Sequence, residues 1–159
     1  MTYTPREGAI GTICFPSFNR GNLLLKTIKE LLPKLSEDWP ILVSDNASTE
    51  FRQEYKEIER LALGSKVLFY FRHERNCLFE GNLLSLFDLA PTQFFLIVSD
   101  EDIPSIEGLN ELTPFLKNNR DIGGILTSLG TAAGVQQSQE HYFEDRDYPR
   151  GKGVSEFGI

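Results

Sequence analysis

Three acidic residues in a row follow the most hydrophobic segment of the chain. Asp100, Glu101 and Asp102 come directly after the apolar run Phe94–Ser99, which is typical of a fully buried β-strand. Carboxylates two positions apart in a turn can converge on one hard cation, and Mg²⁺ and Mn²⁺ favour oxygen ligands that they share with substrate phosphates. The alternative is a solvated acidic turn in which Asp102 or Ser105 caps the next helix.

A second pair of polar residues, Asp45 and Asn46, follows the short apolar segment Ile41–Ser44. Their side chains can exchange hydrogen bonds with the edge of a base or a ribose. Alternatively, Asp45, Asn46 or Ser48 forms a turn and caps the following helix. The chain contains neither G-x-G-x-x-G nor G-K-[ST], so a bound diphosphate would need a metal for much of its charge compensation.

The elements that must position these residues alternate regularly along the chain. The predicted strands are Ala9–Phe15, Ile41–Ser44, Val67–Phe71, Phe94–Ser99 and Ile122–Leu126. The predicted helices are Asn22–Leu35, Thr49–Leu63, Glu80–Ala90 and Pro104–Leu116. Such alternation is typical of βαβ units, so the predicted fold class is α/β, with an open, mostly parallel sheet and helices on both faces.

Polar residues end each of the first four predicted strands. Ligands of open parallel sheets bind beyond the carboxyl ends of the strands, near the switch in strand order. A purely structural sheet has no need for this clustering, so we expect the functional site at this edge. The two histidines, His73 and His141, have no metal-ligand spacing.

Composition narrows the classes of function. The chain has 159 residues, and 16 Lys and Arg against 23 Asp and Glu give a net charge of −7. An acidic surface argues against nucleic acid as a partner, because binding along a phosphate backbone needs basic residues. Two scattered cysteines predict neither a disulfide framework nor a zinc site and favour a reducing, cytoplasmic location. No apolar run reaches the roughly 18 residues of a transmembrane span.

Four segments resemble the motifs of the family 2 glycosyltransferases of GT-A fold. Ile10–Asn19 resembles the family's opening strand and turn, and Val43–Glu50 resembles its second-strand motif. Phe71–Asn82 is similar to the third-strand-to-helix segment, and Ile97–Asp102 occupies the position of the D-x-D motif. The four motifs occur in order and with the family's spacing, over about Ile10–Leu126.

The resemblance implies a nucleotide-diphospho-sugar donor and assigns roles to individual residues. Asp45 would contact the base, Asp100 would face the ribose or the sugar, and Asp100 and Asp102 would hold Mn²⁺ or Mg²⁺. The residues implied to bind the nucleotide are Pro16, Ser17, Asn19, Asp45, Asn46, Arg72, Arg75 and Asp100. One residue departs from the pattern, since Leu78 stands where the family often has glycine.

In this family the catalytic base is an Asp or Glu residue that follows the D-x-D motif. Glu144 and Asp145 are the candidates here, although the surrounding segment is polar throughout and a solvated charge run is the alternative. A base beyond Ile159 is a further alternative. The resemblance implies transfer of the sugar, with inversion, to an acceptor hydroxyl of a saccharide or of a lipid-linked acceptor, with peripheral membrane association as an option.

The domain organisation predicted from these observations has two parts. Residues 1–127 form the nucleotide-sugar-binding α/β domain, and residues 128–159 are irregular, partly disordered and the start of an acceptor-side segment. The chain is therefore expected to be the donor-binding part of a truncated enzyme. Two alternatives are a nucleotide-binding fragment without turnover and a phosphoacceptor receiver-like module.

Overall fold

The computed structural model describes residues 8–90 and 92–122, together with short strands at 127–128, 130–131, 134–135 and 157–158. The chain divides into two compact units, Met1–Ile103 and Pro104–Ile159. The domain boundary predicted between residues 127 and 128 stays a prediction.

The first unit is a parallel α/β sheet. Its order along the chain is β1 (Gly11–Ser17), α1 (Gly21–Leu31) with a 3₁₀ turn (Leu32–Lys34), β2 (Ile41–Asp45), α2 (Arg52–Leu63), β3 (Leu68–Arg72), α3 (Leu78–Leu89) and β4 (Phe94–Ile97). All neighbouring strands are parallel, in the order β3-β2-β1-β4. This arrangement confirms the predicted fold class.

The second unit begins with α4 (Ile106–Asn118), followed by β5 (Thr127–Ser128), β6 (Gly130–Thr131), β7 (Gly134–Val135) and β8 (Phe157–Gly158). β5 pairs with β8 in parallel, and β6 pairs with β7 in antiparallel orientation. The predicted strand Ile122–Leu126 lies largely outside the described residues. Within the described part of the chain, no helix has the length and hydrophobicity needed to cross a membrane.

The core of the first unit lies around the central strands. Every residue of β2 is buried, so helices cover this strand on both faces. On one of these faces Cys14 and Leu42 pack against Leu86 of α3 and against Ala90, which follows that helix. Burial raises the pKa of the Cys14 thiol to about 12, which makes this cysteine an inert core residue.

The predicted first strand ends at Phe15, but Pro16 lies inside β1, which continues to Ser17. β4 pairs with β1 only as far as Cys14, so the N–H that proline lacks is not needed on that side. The start of α1 also differs from the prediction, because Arg20 occupies the N-cap and Asn22 lies within the helix. These differences leave the order of elements unchanged.

β4 is not fully buried, in contrast to the prediction from its apolar run. Phe95 and Ile97 are exposed, while Phe94 and Leu96 are half-buried. β4 is an edge strand of the four-stranded sheet, and a continuous apolar run cannot distinguish an edge strand from a central one.

Gly11 permits a close approach between the start of β1 and the indole ring of Trp39. A Cβ atom at this position would lie 2.2 Å from Cζ3 of Trp39, which is itself buried. The absence of a side chain at Gly11 therefore allows the ring to pack directly on the strand.

We predict that Gly11→Ala lowers the free energy of unfolding by about 1–3 kcal/mol, since the added methyl group overpacks a rigid ring. Chemical denaturation monitored by tryptophan fluorescence measures the change. Gly64→Ala is the matched control, because the nearest atom to a Cβ there is 3.9 Å away. Equal stability of the Gly11→Ala variant and the wild type would contradict this account of the packing.

Candidate functional site

The strand order switches direction between β1 and β4. β2 and β3 lie on one side of β1, and the chain then crosses to place β4 on the other side. Such a switch in strand order is where open α/β sheets bind ligands. β1 ends at Ser17, and the segment that follows contributes Arg20 to this region. The turn after β4 contributes Asp100 and Glu101.

Asp45 is a buried carboxylate with partners on both oxygens. Its side chain is 0% exposed, Oδ1 accepts a hydrogen bond from the Ser48 N–H at 2.8 Å, and Oδ2 accepts one from the Tyr70 hydroxyl at 2.7 Å. Arg72 Nη1 also pairs with Oδ2, and Nη2 donates to the Ser48 carbonyl at 2.8 Å. The register of β2 and β3, which pairs Asp45 with Arg72, places these charges side by side.

The charge of Asp45 affects the titration of its neighbours. Burial raises the pKa of Tyr70 well above its usual range, and the adjacent Asp45 carboxylate raises it further. Tyr70 therefore stays protonated and donates its hydroxyl proton to Asp45. The Arg72 guanidinium reaches the rim of the site with 39% of its side chain exposed.

Asn46 holds the segment between β3 and α3. Its Oδ1 accepts a hydrogen bond from the Cys77 N–H at 2.8 Å, and its Nδ2 donates to the Leu78 carbonyl at 2.9 Å and to Asn76 Oδ1 at 3.1 Å. Leu78, the residue that departs from the family pattern, has a φ of 65°. This left-handed conformation explains why glycine is favoured at the position.

Asn19 connects the segments that follow β1 and β2. Its Oδ1 accepts hydrogen bonds from the Thr49 N–H at 2.8 Å and the Glu50 N–H at 3.1 Å. Its own N–H donates to Ser48 Oγ at 2.9 Å. Asn19 therefore fixes the segments that follow β1 and β2 against each other.

Hydrogen bonds connect Arg20, Tyr55 and Ser17. The Arg20 N–H donates to the Tyr55 hydroxyl oxygen at 3.1 Å, and Tyr55 Oη lies 2.6 Å from Ser17 Oγ. These bonds tie the start of α1 and the end of β1 to α2. Ser17 also lies close enough to Asp100 to oppose, in part, the rise that burial causes in the pKa of its carboxyl.

Asp100 is a buried carboxylate that lacks a full set of partners. The residue is 4% exposed, and its Oδ1 has no hydrogen-bond partner in the part of the chain that the structure describes. Burial raises the pKa of Asp100, against the opposing effects of Ser17 and Arg20. Thr27 holds the backbone by donating to the Asp100 carbonyl at 2.8 Å. The fixed, unpaired oxygen is suited to an incoming cation or donor group.

Asp102 lies in the same tight turn, which the Asp102 N–H closes by donating to the Ser99 carbonyl at 3.1 Å. Asp102 is exposed, and Ser105 rather than Asp102 caps α4, since Gly108 N–H donates to Ser105 Oγ at 3.1 Å.

No group of three or more His, Cys, Asp or Glu side chains among the described residues is arranged to hold a metal. Two carboxylates still fit Mg²⁺ or Mn²⁺, which complete their coordination with water and phosphate oxygens.

The remaining predicted site residues lie apart from these two clusters or outside the described part of the chain. Pro16 is half-buried inside β1, and Arg75 is exposed beyond the end of β3. Glu144 and Asp145, the candidates for the catalytic base, lie outside the described residues. The structure thus places Ser17 close enough to Asp100 to affect the pKa of its carboxyl, and it pairs Asp45 with Arg72.

Sequence reasoning missed two residues of the site, Tyr55 and Arg20. The apolar face of α2 contains Tyr55, whose buried hydroxyl needed a partner, and this was the available signal. It also missed a polar cluster in which His73 Nε2 lies 3.1 Å from Ser44 Oγ and 3.2 Å from Asn82 Oδ1. Ser44 and Asn82 are buried, so this cluster fixes α3 to the sheet.

Comparison with known families now identifies the class of protein. The sequence pattern described as glycosyl transferase family 2 matches residues 12–155. The chain therefore belongs to glycosyl transferase family 2. No curated protein sequence matches the chain at a significant level.

Solved structures share the GT-A fold. S. aureus TarS 1–349 in complex with UDP-GlcNAc is 23% identical, with a TM-score of 0.59 over 84% of this chain and 39% of that chain. The mannosyltransferase PcManGT from Pyrobaculum calidifontis, in complex with GDP-Man and Mn²⁺, is 15% identical, with a TM-score of 0.63 over 80% and 37%. GalNAc-T7 with UDP, GalNAc and Mn²⁺ is 15% identical, with a TM-score of 0.59 over 77% and 23%. The chain spans well under half the length of these proteins.

We predict that Leu78→Gly leaves the free energy of unfolding unchanged or slightly higher. Relief of a left-handed leucine, which costs about 1–2 kcal/mol, offsets the greater backbone entropy of glycine. Leu84→Gly, at a similarly exposed position within α3, is the control and should lose about 1 kcal/mol. Equal losses in the two variants, measured by urea denaturation, would show that Leu78 is unstrained.

We predict that Asp100→Asn stabilises the protein in metal-free buffer by about 1 kcal/mol at neutral pH, since it removes a buried charge with an unpaired oxygen. Because the folded pKa of Asp100 is raised, the gain should vanish as the pH falls below about 3.9, where the unfolded carboxyl is also protonated. Asp45→Asn should instead lose about 3 kcal/mol, since it breaks a buried pair. Thermal unfolding measures both, and destabilisation by Asp100→Asn at pH 7 would refute the prediction.

Proposed function

We propose that this chain forms the donor-binding part of a metal-dependent glycosyltransferase. The sugar is transferred from a nucleotide-diphospho-sugar, with UDP as the nucleotide, to an acceptor hydroxyl. The observation that carries the proposal is the buried Oδ1 of Asp100 at the switch point between β1 and β4, which has no hydrogen-bond partner among the described residues. Membership in glycosyl transferase family 2 supports the reaction class.

Asp100 and Asp102 are the proposed ligands of Mn²⁺ or Mg²⁺. A metal bound there would supply electrostatic stabilisation of the leaving diphosphate. The tight turn that ends in Asp102 and the Thr27 hydrogen bond to the Asp100 carbonyl fix the backbone that bears both carboxylates. The chain itself thus contributes a preorganised acidic turn, which needs little rearrangement when the donor binds.

The nucleotide is proposed to lie along the carboxyl ends of β1 and β2. Pro16, Ser17, Asn19 and Asn46 line or support this edge in the proposal. Asp45 is implied to contact the base, although its fully paired carboxylate also suits it to hold Arg72 at the rim.

The Arg72 side chain is 39% exposed, so it can present N–H groups to a base or a ribose while Nη1 remains paired with Asp45. Arg75, exposed beyond β3, is a second cation available to the nucleotide. The choice of UDP follows the family resemblance and agrees with the TarS complex with UDP-GlcNAc and the GalNAc-T7 complex with UDP.

The acceptor side of the reaction rests on the family resemblance alone. Glu144 or Asp145 is proposed as the base that removes the proton of the acceptor hydroxyl, with inversion at the anomeric carbon. A saccharide or a lipid-linked acceptor, a cytoplasmic location and peripheral membrane association stay predictions of the same kind. Nucleotide binding without turnover is the remaining alternative.

The receiver-like alternative is wrong. Receiver domains have the strand order 2-1-3-4-5, in which the first strand lies between the second and the third. Here β1 lies between β2 and β4, and β3 is the edge strand beside β2. The match of residues 12–155 to glycosyl transferase family 2 excludes it independently.

We predict that the chain binds UDP in the presence of Mn²⁺, and that Asp102→Ala lowers this affinity at least about tenfold, equivalent to about 1.4 kcal/mol. The physical reason is the loss of one of two carboxylate ligands that hold the bridging cation. Isothermal titration calorimetry with and without Mn²⁺ measures the affinity. A UDP-sugar replaces UDP in a second titration to test for the sugar itself.

Glu59→Ala is the control, since Glu59 is an exposed carboxylate of α2. Its affinity should equal that of the wild type. Unchanged binding in Asp102→Ala would remove Asp102 from the metal site. If the chain binds the UDP-sugar tightly but forms no free UDP when acceptor saccharides are added, the alternative of nucleotide binding without turnover is favoured.

A further inference from the structure

A cationic side chain lies across the proposed metal site. Arg20 Nη2 donates to Glu101 Oε2 at 2.8 Å, and Arg20 Nε lies 3.9 Å from Asp100 Oδ2. The guanidinium thus stands beside the buried carboxylate and is held by the exposed one. It compensates the charge of Asp100 without forming a hydrogen bond to it, because 3.9 Å exceeds hydrogen-bond distance.

The backbone of Arg20 is fixed while its side chain is free to change position. Its N–H donates to the Tyr55 hydroxyl at 3.1 Å, and its carbonyl accepts from the Leu23 and Leu24 N–H groups at 3.1 Å each. The side chain is 42% exposed, and its partner Glu101 is 55% exposed. A surface pair of this kind contributes little stability, so the guanidinium can leave it at small cost.

The buried Oδ1 of Asp100 is suited to bind a ligand. Within the part of the chain that the structure describes, this buried oxygen has no hydrogen-bond partner, and the residue is 4% exposed. Arg20 approaches the other oxygen of the carboxylate. An incoming divalent cation at Oδ1 would therefore lie within a few ångströms of a positive charge, and the two would repel each other unless an anion were added.

We propose that Arg20 is an internal counter-cation that couples metal binding to the diphosphate of the donor. In the free chain Arg20 occupies the acidic turn and disfavours a metal that arrives alone. When a nucleoside diphosphate binds, the guanidinium moves from Glu101 to the phosphate oxygens, which it matches through paired N–H groups. This inference rests on the proposed function, since it assumes that Asp100 and Asp102 hold the metal.

The proposal predicts two effects of opposite sign in Arg20→Gln. Affinity for Mn²⁺ alone should rise about three- to tenfold, because a nearby positive charge is removed. Affinity for UDP in saturating Mn²⁺ should fall by a similar factor, because the phosphate loses its partner. A purely structural role of Arg20 would move both affinities in the same direction.

The experiment uses the full chain and measures free Mn²⁺ by electron paramagnetic resonance, with and without UDP. Arg60→Gln is the matched control, since Arg60 is 71% exposed on α2 and its removal changes the net charge equally. Both of its affinities should equal those of the wild type. Arg20→Lys keeps the charge, so Mn²⁺ alone should bind as in the wild type while UDP binds more weakly.

The outcomes separate this inference from the proposed function. If Arg20→Gln binds both ligands as the wild type does, while Asp102→Ala remains impaired, the proposed role of Arg20 is overturned and the proposed function is not. Absence of Mn²⁺-dependent UDP binding in the wild type overturns both proposals. If Arg20→Gln does not fold, Arg20→Lys decides the question, and unchanged UDP affinity in that variant overturns the inference.

Discussion

The organisation of this site depends on the pairing of a buried carboxylate, Asp45, with Arg72 on the neighbouring strand. An unpaired charge in this position would be strongly destabilising, because the interior cannot replace its hydration. The parallel register of β2 and β3 places the guanidinium at the required position, and Ser48 and Tyr70 satisfy the remaining acceptor capacity. The segment after β2, which also contacts Asn19, is fixed as a consequence.

The second buried carboxylate, Asp100, is the opposite case. Its Oδ1 has no partner among the described residues, while Ser17 and Arg20 only partly offset the cost of burial. Stability is reduced locally in exchange for an oxygen that is already fixed and desolvated. Such an arrangement is typical of functional sites, where a ligand completes what the protein leaves unsatisfied.

Several parts of this account could be predicted from the sequence, because they depend on local pattern. Apolar runs and helical periodicity predicted the order of strands and helices, and polar residues after each strand indicated where the site would lie. The exposure of β4 could not be predicted, because the same apolar run serves an edge strand or a central strand. The prediction ended the first strand before Pro16 for a related reason. The sequence does not show that β4 stops pairing with β1 at Cys14, which is what makes a proline acceptable in the strand.

The sequence by itself determined the α/β class, the acidic turn and the family motifs, because these are set by residue type and spacing along the chain. Only the tertiary structure decided that β1 and β4 are neighbours, which is a matter of strand order and not of sequence distance. It also decided that both carboxylate oxygens of Asp45 have partners, while Asp100 Oδ1 has none among the described residues. Arg20 and Tyr55 were likewise assigned to the site by the tertiary structure alone. The physical reason is that the partners of a buried charge come from distant segments, and only packing brings them within hydrogen-bond distance.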